Sequence, residues 1–365
     1  MRRDIQAFLV VCFLILGITC ISAGVSVAGI ADDIDHAQQL LDGKDYDGAI
    51  QLAKQIASSN PNLAPRANYL IGECYEGKKD WSTAIETFKD LRIKHPNVEP
   101  EAECAMRELA KCYGATKAWD NAISIAEEAL SKYPADASYW LRRLSTHCKN
   151  KGNKAKELVA LQRLVKEFPN TIEAKEANLG IAEHLCMEGK VDQAIKDLDV
   201  LLSKNPDMKE LILHQKVILL YRYTSDFAIA LSIFNKMTSE ELKQSVAFET
   251  MVKSRRPAQA KQIFELLIST CPNSNKLVMW EYYRGMCSFT AGDWASAREA
   301  YHSLCANRPA SEWYTQAKYD EADCCIQMGD VVAAKTAFKE VIDKNPESEL
   351  AKNAVRRLKA IEERS

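Results

Sequence analysis

The chain has 365 residues, 47% hydrophobic and 27% charged, and its 48 basic and 50 acidic side chains leave a formal net charge of −2. That balance argues against a nucleic-acid binder held by bulk charge and leaves room only for a local patch. Beyond the N-terminus no run reaches the eighteen or so consecutive apolar residues of a membrane span.

Arg2 and Arg3 precede an apolar run from Ala7 to Ile18, and Ser26-Val27-Ala28 fits a small-x-small cleavage site. Residues 1–28 therefore read as a secretory signal, the run being somewhat short for the alternative, an uncleaved anchor. The mature chain is expected to begin near Gly29. Cys20 invites a lipid-anchored reading, but Gly17-Ile18-Thr19 lacks the leucine and the small final residue of a bacterial lipobox. Asp4-Ile5-Gln6 likewise departs from the hydrophobic continuation of a twin-arginine signal, so export of the unfolded chain is expected.

Downstream, a helix from Ala31 to Asp42 pairs with 46–59, and further helix pairs follow at about 62–93, 98–132, 136–167, 171–203, 207–237, 239–270, 274–306 and 310–344. Asn68 to Pro96 shows the unit most plainly. Gly72 and Ala84 are small where two antiparallel helices approach, with Ile71, Tyr75, Trp81, Ile85, Phe88 and Leu91 around them. The first helix is expected to end at Glu76-Gly77, with glycine in the left-handed conformation, and the second before Pro96. From Glu347 to Arg364, Leu350, Val355, Leu358 and Ile361 lie on one side and charge on the other, the pattern of a solvating cap. No stretch reads as a strand.

A small residue opening the second helix, with proline twelve positions later, recurs as Ala49/Pro61, Ala84/Pro96, Ala122/Pro134, Ala194/Pro206, Ala260/Pro272, Ala297/Pro309 and Ala334/Pro346. Three residues before six of these alanines stand Tyr46, Trp81, Trp119, Val191, Trp294 and Val331. Steps of roughly 35 to 38 residues belong to helix-pair solenoids. Over residues 32 to 346 the sequence resembles the tetratricopeptide repeat family, most clearly at Gly292-Asp293-Trp294 with Ala297, Tyr301 and Pro309. The resemblance implies an all-α, right-handed superhelical solenoid of about nine hairpins plus the C-terminal cap, occupying 29–365. Two units depart from the pattern: Glu157 stands where alanine is expected, and 224–253 reads as a shortened, irregular unit retaining Phe227, Ala230 and Phe234.

Ten of the twelve cysteines lie beyond the signal. Cys74, Cys112, Cys287 and Cys324 each precede the second-helix alanine by ten residues, so they read as small buried hydrophobes of the repeat. Equivalent positions on stacked helices, about 8–10 Å apart, exceed the roughly 7 Å that a disulfide tolerates. No C-x-x-C or H-x-x-x-H spacing, phosphate loop or nucleophile elbow occurs. The expectation is a non-catalytic protein without metal or cofactor.

In the family that the sequence resembles, first helices line the concave face. There Arg107 and Lys111, followed by Arg142, Arg143 and Thr146, would form a basic shelf for a carboxylate or acidic peptide. The bland reading is a solvated face with pairs such as Glu103-Arg107. The lysine and asparagine set with which some family members clamp a peptide's terminal carboxylate has no match here. Toward the C-terminus, Tyr282, Met286, Tyr319 and Asp323 would form an aromatic, soft-walled groove, with Trp280, Tyr283, Trp313 and Tyr314 nearby. The expected function is a scaffold in a bacterial envelope, periplasmic or anchored facing the periplasm, binding a partner peptide or helix along the concave face. The alternative is an accessory subunit of an envelope-assembly or cell-wall polysaccharide system.

Overall fold

The computed structural model describes residues 27–225, 227–252 and 255–363, with side chains from 33 onward. The signal assigned to 1–28, with Cys20, lies outside them apart from Val27 and Ala28, which open the first helix. Among the described residues are nineteen α-helices and no strand. They are α1 Val27–Asp42, α2 Tyr46–Ser59, α3 Ala64–Gly77, α4 Trp81–Lys94, α5 Glu101–Ala115, α6 Trp119–Lys132, α7 Ala137–Lys151, α8 Lys154–Glu167, α9 Ile172–Met187, α10 Val191–Lys204, α11 Lys209–Tyr223, α12 Phe227–Phe234, α13 Glu240–Val252, α14 Pro257–Thr270, α15 Leu277–Thr290, α16 Trp294–Asn307, α17 Tyr314–Gln327, α18 Val331–Lys344 and α19 Glu349–Glu362. They follow the expected pairs, with α19 as the closing helix. The chain divides into two compact units, Met1–Ala160 and Leu161–Ser365, the boundary falling within α8.

Four of the helix pairs share one local device. Asp45, Asp80, Asp293 and Asp330 precede second helices, and each carboxylate accepts the backbone N–H three residues on, satisfying a donor that a helix N-terminus leaves open. The residue before each of these aspartates is left-handed: Lys44 (φ 65), Lys79 (φ 60), Gly292 (φ 78) and Gly329 (φ 76). The expectation for Gly77 is corrected here. It remains helical as the last residue of α3, and the left-handed turn falls two residues later at Lys79. Gly77 is small for another reason, since a Cβ there would stand 2.4 Å from Cε1 of Tyr46.

The seam of every pair except α7/α8, where Glu157 stands, is made by an alanine without exposed surface: Ala49, Ala84, Ala122, Ala194, Ala230, Ala260, Ala297 and Ala334 are all 0% exposed. Large side chains beside them, such as Phe88, Phe234, Phe264, Tyr301 and Phe338, are buried against the facing helix. A first helix also touches the first helix of the following pair, α1 with α3 and α3 with α5 in the first unit, α9 with α11 and α11 with α13 in the second. Each helix thus buries two sides, which an isolated hairpin could not do.

At the irregular stretch α12 has only eight residues. Tyr221 stacks on Phe227 with ring centroids 5.7 Å apart, and Arg256 donates to the Thr224 carbonyl at 2.6 Å. Glu210 accepts the backbone N–H groups of Thr238 at 2.9 Å and Ser239 at 3.0 Å, holding the entry to α13. Glu157 is buried, with the Lys154 ammonium 3.5 Å from its carboxylate.

Candidate interaction surface

In the first unit, Arg107 and Lys111 project from α5, and Arg142, Arg143 and Thr146 from α7. Arg107 donates to Glu103 at 3.0 Å, pairs with Asp136 at 3.1 Å and lies over the Tyr139 ring at 4.2 Å. Burial opposes its charge, but Glu103 and Asp136 outweigh that and raise its pKa. Lys111 bonds Glu76 of α3 and lies 3.2 Å from Glu108. Arg143 donates to the Tyr139 hydroxyl at 3.1 Å and sits over the same ring at 5.2 Å. Arg142 and Thr146 are exposed, the threonine hydroxyl donating to the Arg142 carbonyl at 2.9 Å.

The basic shelf is therefore corrected to a strip of mixed charge. Glu76, Glu103, Glu108 and Asp136 interleave with the cations, and only the Arg142 end presents an exposed guanidinium. The Arg107 and Arg143 guanidinium groups both contact Tyr139, a combination of residue types common where proteins recognise one another.

In the second unit the groove placement of Tyr282 is also corrected. Tyr282 is 3% exposed, and its hydroxyl donates to Asp320 Oδ2 at 2.7 Å. Its ring lies 4.7 Å from Trp313, 5.6 Å from Tyr301 and 5.3 Å from Tyr283, so it belongs to the core between pairs. Burial pushes the Asp320 carboxyl up, while the bonds from Tyr282 and Gln316 work in the opposite direction. Trp280 is fully buried, its indole N–H donating to Gln244 at 3.2 Å. Met286 and Tyr319 are half-buried, and Tyr319 meets Phe338 edge-on at 5.3 Å. Asp323 is bonded to Arg357 of the closing helix. A cleft of about 530 Å³ opens beside this cluster, with Val278, Met279 and Trp313 as its apolar part and Lys276 and Arg308 at its edge. Both cations already face carboxylates, Glu241 at 3.3 Å and Glu281 at 3.6 Å.

Sequence reasoning missed the register held by His147 and His184, which stand ten residues before Glu157 and Ala194, where four other units place cysteine. Both are buried, and His147 has no hydrogen-bond partner at either ring nitrogen. Burial, with help from Arg143, pushes His147 down to about 4, so the imidazole is neutral at ordinary pH. The recurrence of cysteine at this register was the signal that could have found them. The cysteines themselves are free thiols, and Cys74, Cys112, Cys287 and Cys324 are 0% exposed. Among the described residues no group of histidine, cysteine and carboxylate side chains could hold a metal ion. No described helix is long and apolar enough to cross a membrane.

The stacked pairs define a helical-repeat protein. Residues 40–103 and 288–358 match one family model and 105–136 another, both described as tetratricopeptide repeat. Over those residues the chain carries tetratricopeptide repeats. No curated protein matches it. Among solved structures it is similar to a tetratricopeptide repeat protein from Parabacteroides merdae, with 19% identity, 70% of this chain and 97% of that one covered, and TM-score 0.39. It is also similar to MamA from Desulfovibrio magneticus RS-1, with 15% identity, 49% and 96% covered, and TM-score 0.40. A third is the C-terminal part of a repeat protein from Cytophaga hutchinsonii, with 14% identity, 68% and 98% covered, and TM-score 0.40.

Proposed function

We propose that the chain is a non-catalytic interaction scaffold, exported through its N-terminal signal and acting in a bacterial envelope, where first-helix faces hold a peptide or helix of a partner protein. The observation that carries this reading is the arginine–tyrosine strip of α5 and α7. Arg107 and Arg143 are set on Tyr139, and exposed Arg142 and Thr146 extend the strip, so a preformed surface meets the partner with little ordering cost. Tetratricopeptide repeat proteins generally mediate protein–protein contacts without catalysis, which fits a chain lacking any nucleophile or metal motif. The envelope location rests on the apolar run and the Ser26-Val27-Ala28 site.

The test is crosslinking capture from an envelope extract by the mature chain, compared with Arg142→Glu/Arg143→Glu and with Met286→Ala/Tyr319→Ala. Loss of the captured species in either variant, with the helical melt retained, supports the reading. Wild-type capture by both overturns it. Intact-mass measurement of soluble and membrane fractions tests export, since a species beginning at an acylated Cys20 would refute a soluble periplasmic form. A second reading, an accessory part of a cell-wall polysaccharide system, draws on the Trp313 cleft, because an indole beside amide and hydroxyl groups can stack on a sugar ring. Saturation-transfer measurements with glycans separate the two.

A further inference from the structure

The second and third hairpins meet through one ammonium and two carboxylates. Lys111 of α5 bonds Glu76 of α3 and lies 3.2 Å from Glu108 on its own helix. The Glu76 and Glu108 side chains are only 12% and 20% exposed, so a single positive charge is left to balance two poorly hydrated negative ones. Glu73 of α3 adds a further carboxylate, which Arg66 offsets in part while also reaching Gln38 of α1, at 3.1 Å, and the Tyr69 ring. Cys104 and Cys112 of α5 and Cys74 of α3 are thiols held protonated by burial. From α2, Asp47 is committed to Lys78 at 2.7 Å, and from α4, Lys89 lies over the Tyr113 ring.

Burial is the main cause that pushes Glu76 up to about 7. Glu108 adds to it, while the bond from Lys111 works against it. A carboxyl whose folded pKa lies above its ordinary value contributes stability that is complete below about 4.5 and is lost as pH rises through about 7.

We infer that Glu76, Lys111 and Glu108 form a proton-operated clasp between the second and third hairpins. With one proton on the pair, Lys111 holds α3 against α5. With both carboxylates ionised, their repulsion loosens the seam. The clasp shares Lys111, Glu76 and Glu108 with the charged strip, but its test reads helix opening in the free chain and does not need the partner.

Hydrogen exchange of the full chain, corrected for the intrinsic pH dependence of the chemistry, reads the opening of α3 and α5 between pH 5 and 8. In the wild type the opening constant is expected to rise by about tenfold per pH unit between pH 5 and 7 and to level off by pH 8. In Glu76→Gln, a neutral mimic of the protonated acid, the rise should disappear and protection should stay at its low-pH level. In Lys111→Met, opening should be greater throughout, with the rise displaced to higher pH because the counter-charge is gone. A flat wild-type profile, or a Glu76→Gln profile that follows the wild type, overturns the clasp. Should a variant not fold, carbon NMR titration of selectively labelled wild type decides: a Glu76 midpoint near 7 supports the clasp and one near 4.5 overturns it.

Discussion

Phe88 lies across the α-carbon of Gly72: a methyl group added to the glycine would stand 2.4 Å from the phenyl Cε1 and 2.5 Å from Cζ. Gly285 and Tyr301 repeat the relationship in the second unit at 2.7 Å. One position of the first helix must be small so that the ring sixteen places on can fill the seam. Gly72→Ala should cost about 1–3 kcal/mol through overpacking, despite alanine's better helix propensity. Urea midpoints would show it, and Phe88→Leu should recover part of the loss in the double variant. Wild-type stability for Gly72→Ala would mean that the ring is not held there.

The turns predict effects of opposite sign. Lys79 takes the left-handed conformation at φ 60, where Gly329 does the same job at φ 76. Lys79→Gly should stabilise the chain by up to about 1 kcal/mol, since an L side chain is strained in that region. Gly329→Ala should destabilise by about 1 kcal/mol, and the loss should be purely conformational because nothing lies within 4 Å of the added methyl. Thermal melts that moved both variants in the same direction would contradict this account of the turns.

His147 adds an acid-sensitive element. Its pKa is depressed to about 4, so the neutral ring contributes stability that is complete above its ordinary value of 6.5 and is lost as pH falls toward 4. The loss amounts to about 3 kcal/mol at most. His147→Cys, which restores the residue used at this register elsewhere, should flatten the dependence. Melting temperatures from pH 4 to 7 provide the check, and an unchanged slope in the variant would show that another group titrates.

Tyr282 distinguishes a core role from a groove role. Tyr282→Phe leaves the half-buried Asp320 carboxyl with Gln316 as its remaining donor and should cost about 1–3 kcal/mol, while Tyr282→Ala should cost about 3–5 kcal/mol as the Trp313–Tyr301 cluster loses its centre. Circular-dichroism melts that matched wild type for Tyr282→Ala would return this residue to the surface.

The hairpins were legible because alanine and proline recur at a fixed offset, and packing enforces that offset: each seam alanine has no exposed surface. The turn was misplaced because Gly77 suits two roles, and only the position of Tyr46, in the preceding hairpin, shows which one it serves. The charged strip was misread for a related reason. Along their own helix Arg107 and Lys111 show only Glu103 and Glu108, whereas Asp136 and Glu76 also reach them from outside it. Tyr282 falls on the stripe expected to line the groove, yet Trp313 and Asp320 close over it. Helical periodicity tells which side chains share a stripe, and the neighbouring pair decides whether that stripe sees water.

The cysteine register has a kinetic consequence. Burial pushes Cys74 up to about 11 and Cys112, Cys287 and Cys324 up to about 12, so almost no thiolate is present near neutrality and no alkylating reagent can reach the sulfur in the closed state. Each thiol therefore reacts only when its own hairpin parts. Alkylation timed by peptide mass would then act as a set of clocks along the chain, one for each of these four hairpins, recording where the array breathes first.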